Sequence, residues 1–383
     1  MKNFDFYNPT KVLFGDGKIS EIQNEIPKDS KILVTYGGGS VKKNGVFEQV
    51  ADALKTFKWT EFGGIEPNPR YETCMKAVEK IREGDVDFLL AVGGGSVFDA
   101  TKFIAAATFF GGEPWDILTK RAPIEKALPF GGVLTLPATG SEMNSGAVIT
   151  REKTHEKLPF SNPLLFPTFS VLDPGVTATL SSRQTANGVV DAFVHVMEQY
   201  MTYPTGNHLQ ARFAESILST LIEDGPEYYR NPADYEKAAN IMWSATMALN
   251  GLVGAGVPND WSTHMIGHEL TAFHEIDHAR TLAIVLPGTW QVLKEDKKAR
   301  LKQYAERVWH ISEGSDEEKA DEAIAKTEAF FNSLGIKTRL SDYDVGEPTI
   351  RKIVKRFEER GWFLGENKKV GPENVEKILK ERA

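Results

Sequence analysis

Short apolar runs that end in small residues punctuate the first half of the chain. KILVTY (31–36) passes directly into Gly37-Gly38-Gly39-Ser40, and DFLLAV (87–92) into Gly93-Gly94-Gly95-Ser96. GVLTLP (132–137) runs into Ala138-Thr139-Gly140-Ser141, and FSVLDP (169–174) closes the set. Apolar runs of this length, bounded by glycine, read as buried strands. Between the first two, 71–82 has helical spacing. Strands alternating with helices predict a parallel, doubly wound sheet, whose ligands bind beyond the carboxyl ends of the strands. All three Gly/Ser/Thr loops fall at that edge.

The pattern changes near residue 180. Ser181 and Gln184 have the spacing of a capping box, and helical periodicity follows through 184–200, 208–222, 234–250 and 261–273. Ser315 and Glu318 predict a second capping box, opening a helix over 316–334. No strand-rich segment returns. Two domains are therefore expected, α/β over 1–178 and α-helical over 179–383. GGGSV occurs twice, 56 positions apart, which reads as two βα turns of one sheet.

Composition narrows the function classes. Of 383 residues, 41% are hydrophobic and 26% charged, enough for sizeable cores. The net charge of −8 argues against nucleic-acid binding by general basicity. Cys74 is the sole cysteine, so neither an intrachain disulfide nor a thiolate zinc site can form, and a reducing compartment is expected. The first residues lack the apolar core of a signal peptide, and no run approaches the ~18 apolar residues of a membrane span. A soluble, cytoplasmic protein without a membrane partner is the expectation.

Candidate chemistry lies in two places. A glycine run at a strand end lets backbone N–H groups reach a phosphate, and the following helix adds its dipole. Gly93-Gly94-Gly95-Ser96 followed by Asp99 has this form, although GxGxxG itself is absent. In VVDAFVHVMEQY, Asp191 and His195 stand four apart, on one helical face, and can share a metal ion. WSTHMIGHELTAFHEIDHA then brings His264, His268, His274 and His278, four of the chain's eight histidines within fifteen residues. One carboxylate with three imidazoles suits Zn²⁺ or Fe²⁺ without ranking them. An open position on such an ion polarises a carbonyl or alkoxide oxygen.

GGGSVFDATK, LPATGSEMNSGAVI, NGVVDAFVHVMEQY and HMIGHELTAFHEIDHA strongly resemble the iron-containing (group III) alcohol dehydrogenases. IEPNP (65–69), YGGGSVKKNG and SDYD (341–344) point to the bacterial branch of NADPH-dependent aldehyde reductases and butanol dehydrogenases. The resemblance implies a dehydroquinate synthase-like architecture and a homodimer. It also implies metal-dependent hydride transfer between NADP(H) and a primary alcohol/aldehyde pair such as butanol and butanal. Carried over by motif, Asp191, His195, His264 and His278 become the ligands of one Fe²⁺ or Zn²⁺, with His274 outside the set. His268 becomes the histidine that relays a proton or positions substrate. Gly94, Gly95, Ser96 and Asp99 match the pyrophosphate loop. Asn68, Thr135, Thr139, Asn144 and Lys157 match positions along the adenine, ribose and nicotinamide. Thr179 is carried over with them, in a stretch that departs from the branch at Val176.

Cofactor choice rests on one loop. NAD-using relatives of the family place an aspartate after the strand equivalent to 31–36, where it would repel a 2′-phosphate. Here Gly37-Gly38-Gly39-Ser40 carries no acid, and none follows until Glu48. Ser40 can donate to a phosphate, and Lys42 and Lys43 follow at once. NADP(H) is expected, with Gly37, Gly38, Ser40 and Lys43 on the phosphate side. Two rivals stand beside this reading. Glycerol- or diol-type dehydrogenases share the architecture, as do enzymes of phosphate-bearing substrates, although the motifs near Asp191 and His264 supply no extra Lys or Arg for a phosphate. A non-catalytic NADP-binding sensor is the other, and an open coordination position speaks against it.

Overall fold

The strands predicted from apolar runs all form, and two short edge strands join them. The computed structural model describes residues 1–383. The first half is built from β1 (Lys11–Phe14), α1 (Ile22–Glu25), β2 (Lys31–Tyr36), α2 (Val46–Ala53), β3 (Lys58–Phe62) and α3 (Tyr71–Glu83). It continues with β4 (Phe88–Gly94), α4 (Gly95–Ala107), α5 (Asp116–Thr119), β5 (Phe130–Leu136), β6 (Gly146–Arg151), β7 (Glu156–Ser161) and β8 (Phe169–Leu172). Six strands pair in the order β1-β8-β5-β4-β2-β3, every pair parallel. β6 and β7 form a separate antiparallel hairpin. Phe88–Val92 is buried at every position, as expected of a central parallel strand covered on both faces. Val34, Leu90, Val92, Val133 and Val171 form the heart of that core. Cys74, on α3, is fully buried.

The helices that follow are α6 (Ser182–Tyr200), α7 (His208–Arg230), α8 (Tyr235–Ala248), α9 (Ser262–His274) and α10 (His278–Val292). After them come α11 (Lys294–Arg307), α12 (Asp316–Ser333), α13 (Glu347–Arg360) and α14 (Pro372–Glu381). The capping box at Ser315 and Glu318 forms as predicted. Ile266, Leu270, Ile284, Val285, Ile353 and Phe357 pack α9, α10 and α13 together. None of these helices is long and apolar enough to cross a membrane.

Two compact units divide the chain. Tyr7–Ser181 with Asn231–Thr246 make one, and Met1–Phe6, Ser182–Arg230 and Met247–Ala383 the other. The passage at Ser181 lies close to the predicted end of the α/β domain at 178, but neither unit is continuous in sequence. Most of α8 packs with the sheet: Thr246 Oγ1 donates to the buried Glu142 Oε1 at 2.6 Å, and Trp243 meets Phe14 edge to face. Helical periodicity reports that a helix buries one face and not which unit it buries it against.

Candidate metal centre and nucleotide loops

α6 carries the first half of the metal candidate. From Thr185 to Tyr200 every residue except Asn187 is buried, including Asp191, His195, Glu198 and Gln199. Polar side chains buried along a central helix are costly unless partnered, so their grouping marks a site. α9 contributes His264 and His268, and α10 begins at His278.

Ligand atoms of Asp191, His195 and His264 lie within 4.8 Å of one another. His195 Nε2 is 3.9 Å and His278 Nε2 3.6 Å from Asp191 Oδ1. Ligand bonds of about 2.1 Å in a tetrahedral site put donors roughly 3.4 Å apart, so these separations fit one divalent ion. The donor chemistry fits as well: one carboxylate and imidazoles, with no thiolate. The side chains of Asp191, His195 and His264 are 5%, 6% and 8% exposed, whereas His278, on the rim, is 21% exposed. The His268 ring lies 5.1 Å from that of His278 and 6.3 Å from that of His264, centre to centre. His274 points elsewhere, its Nε2 2.8 Å from Thr349 Oγ1.

Glu198, which motif and spacing did not single out, stands directly behind His264. Its Oε1 accepts from the His264 backbone N–H at 2.9 Å and lies 3.0 Å from Nδ1 of the same residue. Glu198 follows Asp191 by seven positions and His195 by three, on the same helical face; that spacing was the available signal. Burial, and then the Asp260 charge, push its carboxyl well above the ordinary carboxylate range. Asp260 in turn accepts from the Ser262 N–H at 3.0 Å and from the buried Lys297 Nζ at 2.7 Å. Asp277, just before His278, accepts from Arg183 Nε and Asn187 Nδ2, each at 2.7 Å. The chain is thus fastened on both sides of α9, at Asp260 before it and at Asp277 after it.

In the other unit, the loops after β2, β4 and β5 share one edge of the sheet because all three strands run the same way. Gly95 opens α4, and a Cβ there would fall 2.2 Å from Thr139 Oγ1, so two loops touch only because residue 95 has no side chain. Asp99 Oδ1 accepts from Ser141 Oγ at 2.6 Å and Oδ2 from the Val148 N–H at 2.9 Å. Asn144 Oδ1 accepts from Lys102 Nζ at 2.9 Å and from the Gly146 N–H at 3.0 Å. Lys102, passed over in the sequence, also donates to Ser141 Oγ and the Gly146 carbonyl. Burial lowers its amine to about 8, against the opposing pull of Asp99 and Glu142. Asp99, Thr139 and Asn144 therefore meet in one clamp beneath the α4 N-terminus.

The remaining nucleotide candidates fall into two groups. Lys157, buried on β7, donates to Asn68 Oδ1 at 2.8 Å, and Thr135 is buried on β5. After β2, Gly37 accepts from the Gly64 N–H, Gly38 has open space around it, and Gly39 takes φ 93° before the turn at Ser40. Lys42 is engaged by Glu61 at 2.8 Å and lies over the Tyr36 and Phe47 rings. That leaves Lys43, exposed beside Asn44, whose Nδ2 donates to Thr179 Oγ1 at 3.3 Å.

Comparison with known proteins covers nearly the whole chain. Residues 9–174 match the family model described as iron-containing alcohol dehydrogenase, and residues 185–383 the C-terminal model of the Fe-containing alcohol dehydrogenase family. The chain is 58% identical over 371 residues to the NADPH-dependent aldehyde reductase YqhD of Escherichia coli K12, covering 96% of each. It is 44% identical to the probable NADH-dependent butanol dehydrogenase 1 of Bacillus subtilis, covering 99% of each. A crystal structure of E. coli K-12 YqhD superposes with a TM-score of 0.98 at 55% identity, covering 100% of this chain and 99% of that one.

Proposed function

Because the chain belongs to the iron-containing alcohol dehydrogenase family and is an oxidoreductase of the alcohol–aldehyde couple, we propose that it reduces primary aldehydes such as butanal with NADPH, at one Fe²⁺ or Zn²⁺. The observation that carries this reading is the convergence of Asp191, His195, His264 and His278 in one largely buried group. Asp191, His195, His264 and His278 would hold the ion, as the chemistry of the donor set supports. When bound, the ion supplies a Lewis acid for the substrate oxygen and the nicotinamide supplies the hydride.

The protein's own groups do the rest. His268 delivers a proton from a ring nitrogen to the oxygen of the nascent alcohol, through water. Backbone N–H groups of Gly94, Gly95 and Ser96 at the start of α4 take the pyrophosphate. Asp99 and Asn144, locked with Lys102, hold that loop in place, and Lys157 with Asn68 takes the ribose. Ser40 and Lys43 take the 2′-phosphate, since Lys42 is held by Glu61. The homodimer belongs to the same reading, and light scattering of the purified chain tests it.

The decisive experiment loads the purified protein with Fe²⁺ or Zn²⁺, adds butanal, and follows loss of the reduced cofactor with NADPH and with NADH. Faster oxidation of NADPH is expected. A protein that oxidises neither cofactor with any short aldehyde sinks the reaction, and one that favours NADH sinks the cofactor choice alone.

A further inference from the structure

We propose that Glu198 is a positioning residue for the metal centre, holding the His264 ring by its Nδ1–H so that Nε2 is the atom offered to the ion. The inference rests on the ligand assignment above. His264 has two ring nitrogens, and which one can bind a metal depends on what holds the other. Glu198 Oε1 already accepts from the His264 backbone N–H at 2.9 Å, so the same oxygen, 3.0 Å from Nδ1, meets that nitrogen as an acceptor too. Nδ1 therefore carries the proton, and Nε2 keeps its lone pair.

Glu198 is itself held in place. The Glu198 carbonyl accepts from the Asp260 N–H at 2.9 Å, and Asp260 is anchored by Lys297, which also pairs with Glu366 at 3.1 Å. Trp261 takes φ 63°, a left-handed conformation uncommon for a bulky residue, as the chain turns into α9. One acidic side chain on α6 thus ties down the α9 N-terminus and orients the ring that α9 presents. Outer partners of this kind raise ligand basicity and fix ring orientation, and losing one typically weakens metal binding roughly 10- to 100-fold.

The test measures Zn²⁺ affinity of the full-length, metal-free chain in competition with a chromophoric chelator. Glu198→Ala removes the acceptor, Glu198→Asp withdraws it by one methylene, and Glu198→Gln keeps an acceptor oxygen at full reach without the charge. Zn²⁺ Kd should rise roughly 10- to 100-fold in the Ala and Asp variants, with Gln staying close to wild type. Circular dichroism and Tm establish that each is folded, and where Ala fails to fold the Asp and Gln pair decides. Wild-type Kd in the Asp variant overturns the proposal, and so does a Gln variant that loses as much affinity as Ala or Asp. His264→Ala separates the two levels: if it too binds Zn²⁺ as wild type does, the ligand assignment has failed, and Glu198 with it.

Discussion

His264 and His274 sit on one helix and meet different neighbours. His264 lies in the buried group with Asp191 and His195, while His274 reaches the Thr349 hydroxyl. His264→Ala should therefore purify with little metal and almost no turnover, and His274→Ala with a full complement; elemental analysis of the two decides it. His268 meets the same group by ring contact with His264 and His278. His268→Ala should keep the metal and lose roughly 10²–10⁴-fold in kcat, the usual share of a general acid, together with one limb of the pH–rate profile. An unchanged rate and profile would reduce it to a packing residue. The pairs Asp191/His195 and His264/His268 were legible because an interval of four on a helix is a geometric statement. Glu198 obeys the same geometry, but a glutamate in a helix is common enough that spacing alone does not separate it from a solvated one; its burial does. Lys102 escaped for a related reason, since a lysine's full burial depends on acceptors supplied from 141–146.

At the scale of elements, loop conformation decides what each glycine can become. Gly39 takes φ 93°, so a carboxylate placed there adds backbone strain to its electrostatic effect. Gly38 has ordinary backbone and open space. A carboxylate about 4 Å from a phosphate charge repels it by about 1–4 kcal/mol. Gly38→Asp should thus lower the ratio of kcat/KM for NADPH over NADH at least about fivefold, measured with one aldehyde. The clamp under α4 makes a second prediction. Lys102 is lowered from 10.5 to about 8 in the fold, so between those values the unfolded chain binds the extra proton. Its contribution to stability is unfavourable below about pH 8 and is relieved as pH rises toward 10.5. Lys102→Met should flatten that rise in a Tm-against-pH series. It should also cost about 1–3 kcal/mol near neutrality, because Ser141 Oγ, Asn144 Oδ1 and the Gly146 carbonyl each lose a buried donor. A parallel rise in the variant would show that another group titrates. The central strands were legible because burial on both faces leaves an unbroken apolar run. β3, with the exposure of an edge strand, and the β6–β7 hairpin, with Pro159 in its second strand, left no such run.

For the molecule as a whole, the chain's order is not its architecture. The first unit reclaims 231–246 after the chain has left it, and Glu142 is the acceptor that holds the returning helix. Thr246→Val keeps the shape and deletes the donor, leaving a buried carboxyl oxygen without it. The expected cost is about 1–3 kcal/mol, read as a lower Tm with unchanged metal content; an unchanged Tm would show that packing such as Trp243 on Phe14 holds α8 unaided. No motif could have announced this, because partners 104 residues apart are joined only by the fold. The burial of Cys74 has a consequence of another kind. An aldehyde is an electrophile that thiols capture as hemithioacetals, so a protein that works among aldehydes risks alkylation-like poisoning of its own sulfur. Here the one sulfhydryl is walled into α3, and burial, then the charges of Glu66, Glu72 and Asp99, keep it protonated. The folded protein exposes no thiol that could capture its aldehyde.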